Sequence, residues 1–249
     1  MTAHIPTGVL RVVTIEQLRT SYAPLRPGCP RRSLTREPAA LPIRVVPSAD
    51  GSFEVLDGFK RLRTYQEQGA AELPVVIEPP SPPAEHKRLL LVATAPARTI
   101  TALDEARVVC SLIDYDQQSV AAVARQLGKR RQWVERRLTI GHRLCVRGQE
   151  QLAAGRIGPT LAERLCERPA AEQNTLLATI EHHALKPTEA LALLSAFAVA
   201  DPSEQRALLR NPLATVRRAV PHTLSPRKVA PSALSSTQPT ITCRFTATE

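Results

Sequence analysis

Between Lys129 and Arg147 the chain concentrates the side chains best suited to hold a polyanion. Seven are basic (Lys129, Arg130, Arg131, Arg136, Arg137, Arg143, Arg147) and one, Glu135, is acidic, a net charge of +6 in nineteen residues. Arginine and glutamine bond base edges with two hydrogen bonds at once, and arginine and lysine neutralise phosphates. On this reading Arg130, Arg131 and Gln132 face bases. Arg125, Lys129, Arg136 and Arg137 face mainly phosphates, and Glu135 lies one turn beyond. The bland alternative is a helical hairpin with a solvated basic face. Trp133, beside Val134, reads as a packing residue rather than a base stacker.

A second group with chemical potential is Leu56-Asp57-Gly58-Phe59-Lys60-Arg61-Leu62-Arg63. A glycine at a strand end, free N–H groups at a helix start and the cations Lys60, Arg61 and Arg63 together suit a phosphate. The alternative is a helix whose Phe59, Leu62 and Tyr65 pack on a sheet while the cations are solvated. Nothing resembles a Walker loop or a GxGxxG fingerprint. A nucleotide-dependent phosphotransferase is the competing functional class, with Asp57 and Glu54 as its only candidate bases in that loop. No catalytic residue is assigned.

The elements that must position these groups follow from patterning. Val9–Val13 reads as a strand, with Thr14, Glu16 and Leu18 opening a short helix. Residues 41–46 form a second strand, Ser48–Gly51 a hairpin turn, and Phe53–Leu56 the antiparallel return. Asp57-Gly58 breaks that strand. Phe59–Gln68 is a helix stopped by Gly69, and Pro74–Ile77 a last strand. Residues 78–83, EPPSPP, support neither periodicity and mark a boundary. From about Ala84 the pattern is helical. Thr101 and Asp104 form a capping box opening Asp104–Asp114. Ser119 caps Val120–Leu127, Gly128 ends it, and Arg130–Ile140 follows with Val134 and Leu138 inward. Shorter helices are expected at 147–154, 159–167, 169–183 and 187–197. Residues 201–249, with six prolines and twelve Ser/Thr, read as a tail that is mostly disordered beyond Arg210.

Composition narrows the classes further. The chain has 249 residues and a formal charge of +10, which suits one to three domains and a polyanionic partner. Eight aromatics are too few for a binding mode built on many stacking platforms. The five cysteines form no CxxC pair and His182 and His183 are adjacent, so neither a disulfide framework nor a metal site is expected. No apolar run approaches the roughly 20 residues that cross a bilayer, and Met1–Arg11 has no signal-peptide pattern. A cytoplasmic protein with no membrane partner is the expectation.

In this order and spacing, the two basic motifs resemble the ParB family of partition proteins. Residues 41–77 (LPIRVVPSADGSFEVLDGFKRLRTYQEQGAAELPVVI) are similar to the family's N-terminal box, with a proline-isoleucine strand, a hairpin, a GERRxR-type helix start and a closing PVIV-type strand. Residues 119–140 (SVAAVARQLGKRRQWVERRLTI) resemble its helix-turn-helix, and 149–165 the segment that follows. The resemblance implies an α+β ParB/sulfiredoxin-like N-terminal domain over 5–80, then an all-α domain over 84–200 with the helix-turn-helix at 119–140. It implies double-stranded DNA as partner, a partition ATPase and self-association as further partners, and a nucleoid- or plasmid-associated place in the cytoplasm, in partition or in regulation of a mobile element. It also implies CTP with Mg²⁺ as cofactor, with Gly58, Lys60, Arg61 and Arg63 facing phosphates and Pro42 and Ile43 in the nucleotide-pocket strand. The sequence departs from the family at two points. Phe59 replaces the carboxylate of GERR, and 93–98 (ATAPAR) stands where ENxQR is expected. Weak, metal-insensitive nucleotide binding, or none, is therefore expected. No cysteine lies in the DGFKR loop, which argues against sulfiredoxin chemistry, and no C-terminal dimerisation domain is visible.

Overall fold

The computed structural model describes residues 8–26, 42–92 and 100–213. Its first part is a mixed five-stranded sheet of β1 (Val9–Thr14), β2 (Leu18–Arg19), β3 (Ile43–Pro47), β4 (Phe53–Asp57) and β5 (Glu72–Ile77), in the order β1-β5-β3-β4-β2. Strands β3 and β4 form the expected antiparallel hairpin, with a register shift between Arg44 and Val45. Strand β5 returns parallel to β3 and antiparallel to β1.

Alternation along the central strands decides what covers each face. Ile43, Val45 and Val55 point to the side where α1 (Phe59–Glu67) lies, and Phe59, Leu62 and Tyr65 pack there. Val46 and Leu56 point to the other side, where they meet Leu89 of α2 (Pro83–Val92) and Tyr22. That second face also holds a buried ion pair, Arg44 Nη2 to Glu78 Oε1 at 2.6 Å. An unpaired charge would be costly there, whereas the paired arginine is satisfied.

The remainder is helical: α3 (Ala102–Cys110), α4 (Val120–Leu127), α5 (Arg131–Arg143), α6 (Val146–Ala153), α7 (Pro159–Leu165), α8 (Ala170–His182), α9 (Pro187–Val199) and α10 (Pro202–Arg210). The Thr101–Asp104 capping box opens α3, two residues earlier than the sequence suggests, and the expected helix to Asp114 ends in a π turn over Ser111–Tyr115. One apolar cluster joins α2, α3, α4 and α5 through Leu90, Val108, Leu112, Val123, Leu127 and Val134. A larger one joins α3 to α5 and the helices from α6 to α10.

Three further features differ from the sequence reading. Strand β2 and a 3₁₀ turn at Ala23–Leu25 were not expected; β2 is only two residues long and exists through its parallel pairing with β4. Helix α10 occupies part of the supposed tail. Asp201 caps it, its Oδ1 accepting from Ser203 N (2.7 Å) and Glu204 N (2.9 Å), and Leu208 is buried in the helical core. Capping and one apolar anchor outweigh the proline and serine content there. Residues 214–249, read as disordered, lie outside the described residues. Among the described residues no helix is long and apolar enough to cross a membrane.

Candidate nucleic-acid interface

Helix α4 starts where Ser119 Oγ accepts from Ala122 N (3.2 Å) and ends at Gly128, whose φ of 62° is left-handed. Gly128 N–H bonds Arg125 O, and Lys129 N–H bonds Ala124 O at 2.9 Å. These are the two hydrogen bonds of a Schellman turn, which reverses the chain without leaving carbonyls unpaired. Arg130 is then the N-cap of α5, and no side chain caps it. On the inner face Val134 and Ile140 are fully buried and Leu138 partly so, which fixes the rotation of α5 about its axis.

That rotation leaves Arg131, Gln132, Glu135 and Arg136 on the exposed side, beside the exposed Arg125 of α4 and Gly128, Lys129 and Arg130 of the turn. The Arg131 side chain is 71% exposed and its Nε lies 3.1 Å from Glu135 Oε1. An exposed pair of this kind is worth at most about 1 kcal/mol, so it holds the arginine loosely. Arg136 reaches Glu163 of α7 only at 3.7 Å.

Arg137 corrects the sequence reading. Expected on a phosphate, it is turned inward with its side chain 10% exposed, its Nε 2.7 Å from Glu105 Oε2 and its Nη1 3.6 Å from Glu163 Oε1. Its guanidinium carbon also lies 5.1 Å from the Trp133 ring centroid, while Lys129 Nζ lies 5.3 Å from the same ring. Trp133 packs beside the core as expected and anchors two cations through its ring face. Arg137 thus ties α5 to α3 and α7. Arg147 is also paired, with Glu181 of α8 at 2.6 Å, so the basic surface is smaller than the charge count suggests. These partners come from other helices, so spacing along α5 does not reveal them.

The second cluster lies at the start of α1. Gly58 has a φ of 99° and is the N-cap of that helix. A Cβ there would come within 3.1 Å of both the Arg61 guanidinium and Ile43 Cγ1. Arg61 closes on its own loop, its Nη2 3.0 Å from Asp57 Oδ2 and its Nη1 donating to Pro42 O at 3.0 Å. Asp57 Oδ1 also faces Arg26 Nη1 at 3.5 Å. This departs from the expectation of a phosphate-facing Arg61, and Asp57 is held by cations rather than poised as a base. Ile43 is fully buried in the sheet core and presents no pocket surface. Lys60 is partly exposed and Arg63 exposed. The ATAPAR segment lies outside the described residues.

A comparison with protein-family models finds no match, and neither does a comparison with curated protein sequences. Solved structures do match. The C-terminally truncated chromosome-partitioning protein ParB from Caulobacter crescentus, complexed to the centromeric parS site, is 22% identical, covering 74% of this chain and 98% of that one, with a TM-score of 0.42. The same protein complexed with CTP-γ-S is 22% identical over 67% of this chain and 98% of that one, with a TM-score of 0.28. A Pnob8-like ParB N-domain is 12% identical over 84% and 92%, with a TM-score of 0.42. At these TM-scores the likeness by itself assigns no function to this chain.

Proposed function

We propose that the chain is a sequence-specific DNA-binding protein of the ParB type, with α4 and α5 as its helix-turn-helix. The observation that carries this reading is the exposed, uncapped and basic first turn of α5 held on a rigid Schellman turn. Uncapped N–H groups at a helix start attract an anion, and the surrounding cations add charge of the same sign. Arg130, Arg131 and Gln132 read base edges in the major groove, where α5 is inserted by its N-terminal end. Arg125, Lys129 and Arg136 touch phosphates, and Glu135 tethers Arg131 until a base replaces it. The biological setting is plasmid or chromosome partition, or control of a mobile element.

The test is a fluorescence-anisotropy titration with a duplex selected from a random pool by the full chain. The triple variant R130A/R131A/Q132A is expected to lose its preference for the selected site over random duplex. Equal affinity and equal preference in the wild type and the triple variant would refute the proposal.

A further inference from the structure

Away from the basic surface, three side chains of different chemistry meet where α3 passes α5. Cys110 ends α3, Asp114 lies in the π turn that follows, and His142 sits in the last turn of α5. The Cys110 Sγ, an Asp114 carboxylate oxygen and a His142 ring nitrogen lie within 4.8 Å of one another. His142 Nε2 and Asp114 Oδ2 are 2.8 Å apart. Cys110 is half-buried, while the other two are exposed. We propose that Cys110, Asp114 and His142 form a binding site for one divalent transition-metal ion of the zinc class.

Two structural features make this more than a surface ion pair. Gly141, inside α5, has no room for a side chain: a Cβ there would overlap the Cys110 Sγ and come within 3.4 Å of the Ala106 carbonyl oxygen. A glycine inside a helix costs roughly 0.5–1 kcal/mol relative to alanine. Here its bare backbone seats the thiol immediately beside His142. The π turn is the second feature. It follows Cys110 directly and carries Asp114, and such turns inside helices cluster at functional sites.

The donor set selects the ion. One thiolate, one imidazole and one carboxylate suit zinc-like ions and not magnesium or calcium, which take oxygen. Zinc bonds of about 2.0–2.3 Å place neighbouring donor atoms about 3.3–3.8 Å apart, so modest side-chain rotations close the site. On binding, the Cys110 thiol gives its proton to solvent. Thiolate and carboxylate then balance the charge of the ion, and water completes the tetrahedron. Spacing rules miss such a site because its ligands come from two helices, Asp114 and His142 being 28 positions apart. His142 lies ten residues from Gln132, about 15 Å along the helix axis. The site therefore clips the far end of α5 to α3 without touching the proposed base-reading residues, and it stands or falls independently of DNA binding.

The experiment uses the full chain without a histidine tag, stripped by chelator and titrated with Co²⁺. The expected result is one equivalent bound, with a sulfur-to-cobalt charge-transfer band in the near ultraviolet that Zn²⁺ abolishes by displacement. C110S is expected to lose the band. H142Q, at an exposed position, is expected to lower Co²⁺ affinity at least roughly tenfold. Zn²⁺ should raise the thermal midpoint of the wild type and not that of H142Q. Absence of the band in the wild type, its persistence in C110S, or unchanged affinity in H142Q would overturn the proposal.

Discussion

Arg131 and Arg137 stand six positions apart on one helix and do different work. The first is 71% exposed and, among the described residues, held only by Glu135, so moving it onto a base costs little. The second is tied to Glu105 and Glu163 and lies over Trp133, so moving it takes the cation from Glu105 and leaves Glu163 with Arg136. Arg131→Ala is expected to cost about 1–3 kcal/mol on the cognate site and to leave the urea midpoint unchanged. Arg137→Ala is expected to lower folding stability by about 1.5–3 kcal/mol while the salt dependence of DNA binding stays as in the wild type. Chemical denaturation and anisotropy titrations on the same two proteins separate the outcomes. The reverse pattern would make Arg137 the DNA contact.

At the scale of elements, the turn between α4 and α5 and the seating of α2 carry the predictions. Gly128 has a left-handed φ of 62° and open space where a Cβ would sit, so Gly128→Ala meets only backbone strain. A loss of about 1–2 kcal/mol is expected in denaturation, accompanied by weaker DNA binding because α5 is reoriented. Helix α2 presents His86, whose ring nitrogen Nδ1 lies 3.1 Å from Tyr22 Oη. Burial pushes the His86 pKa below its usual 6.5, opposed by a backbone hydrogen bond at Ser81 and by Glu54 and Glu85. The folded state therefore resists a proton that the unfolded chain accepts, so stability is full above about 6.5 and declines as pH falls through and below it. The thermal midpoint should fall between pH 7.5 and 5.5, and fall less in H86Q; an equal fall in both would assign the loss to other groups. These elements were legible to different degrees. Ser119, Gly128 and the apolar stripes mark α4 and α5 by local chemistry, and the Ser48–Gly51 turn marks the β3–β4 hairpin. By contrast β2 exists only through β4, and α10 rests on a cap and one buried leucine inside a stretch of tail-like composition. In the site, the exposed first turn of α5 was readable from spacing. The inward turn of Arg137 was not, because Glu105 is 32 positions away.

For the whole molecule, the question is whether the α+β layer can act as a nucleotide switch. Phe59, where the ParB-type motif has a carboxylate, packs against both the sheet core and the core formed by α2 to α5. One partly buried apolar ring thus joins the two parts at the very start of α1 and contributes part of the roughly 1.5–3 kcal/mol that full burial of such a ring is worth. Nearby, Arg107 Nη1 donates to Pro24 O at 2.9 Å and Lys87 Nζ lies 2.7 Å from Asp116 Oδ2, adding polar ties between segments distant in sequence. A triphosphate bound at Gly58 would have to draw Arg61 away from Asp57 and from the Pro42 carbonyl, exposing a carboxylate to the incoming negative charge. Phe59 offers no oxygen to orient a metal or an attacking water. Weak nucleotide binding, insensitive to Mg²⁺, and hydrolysis no faster than background are the expected outcome. Calorimetry with CTP, with and without Mg²⁺ and with and without the selected DNA duplex, measures the first, and phosphate release the second. Asp57→Asn should strengthen what binding there is, because it removes the opposing charge and weakens one of the contacts that hold Arg61. Tight Mg²⁺-dependent CTP binding with turnover would show instead that Arg61 leaves Asp57 readily and that the Phe59 contact opens with it.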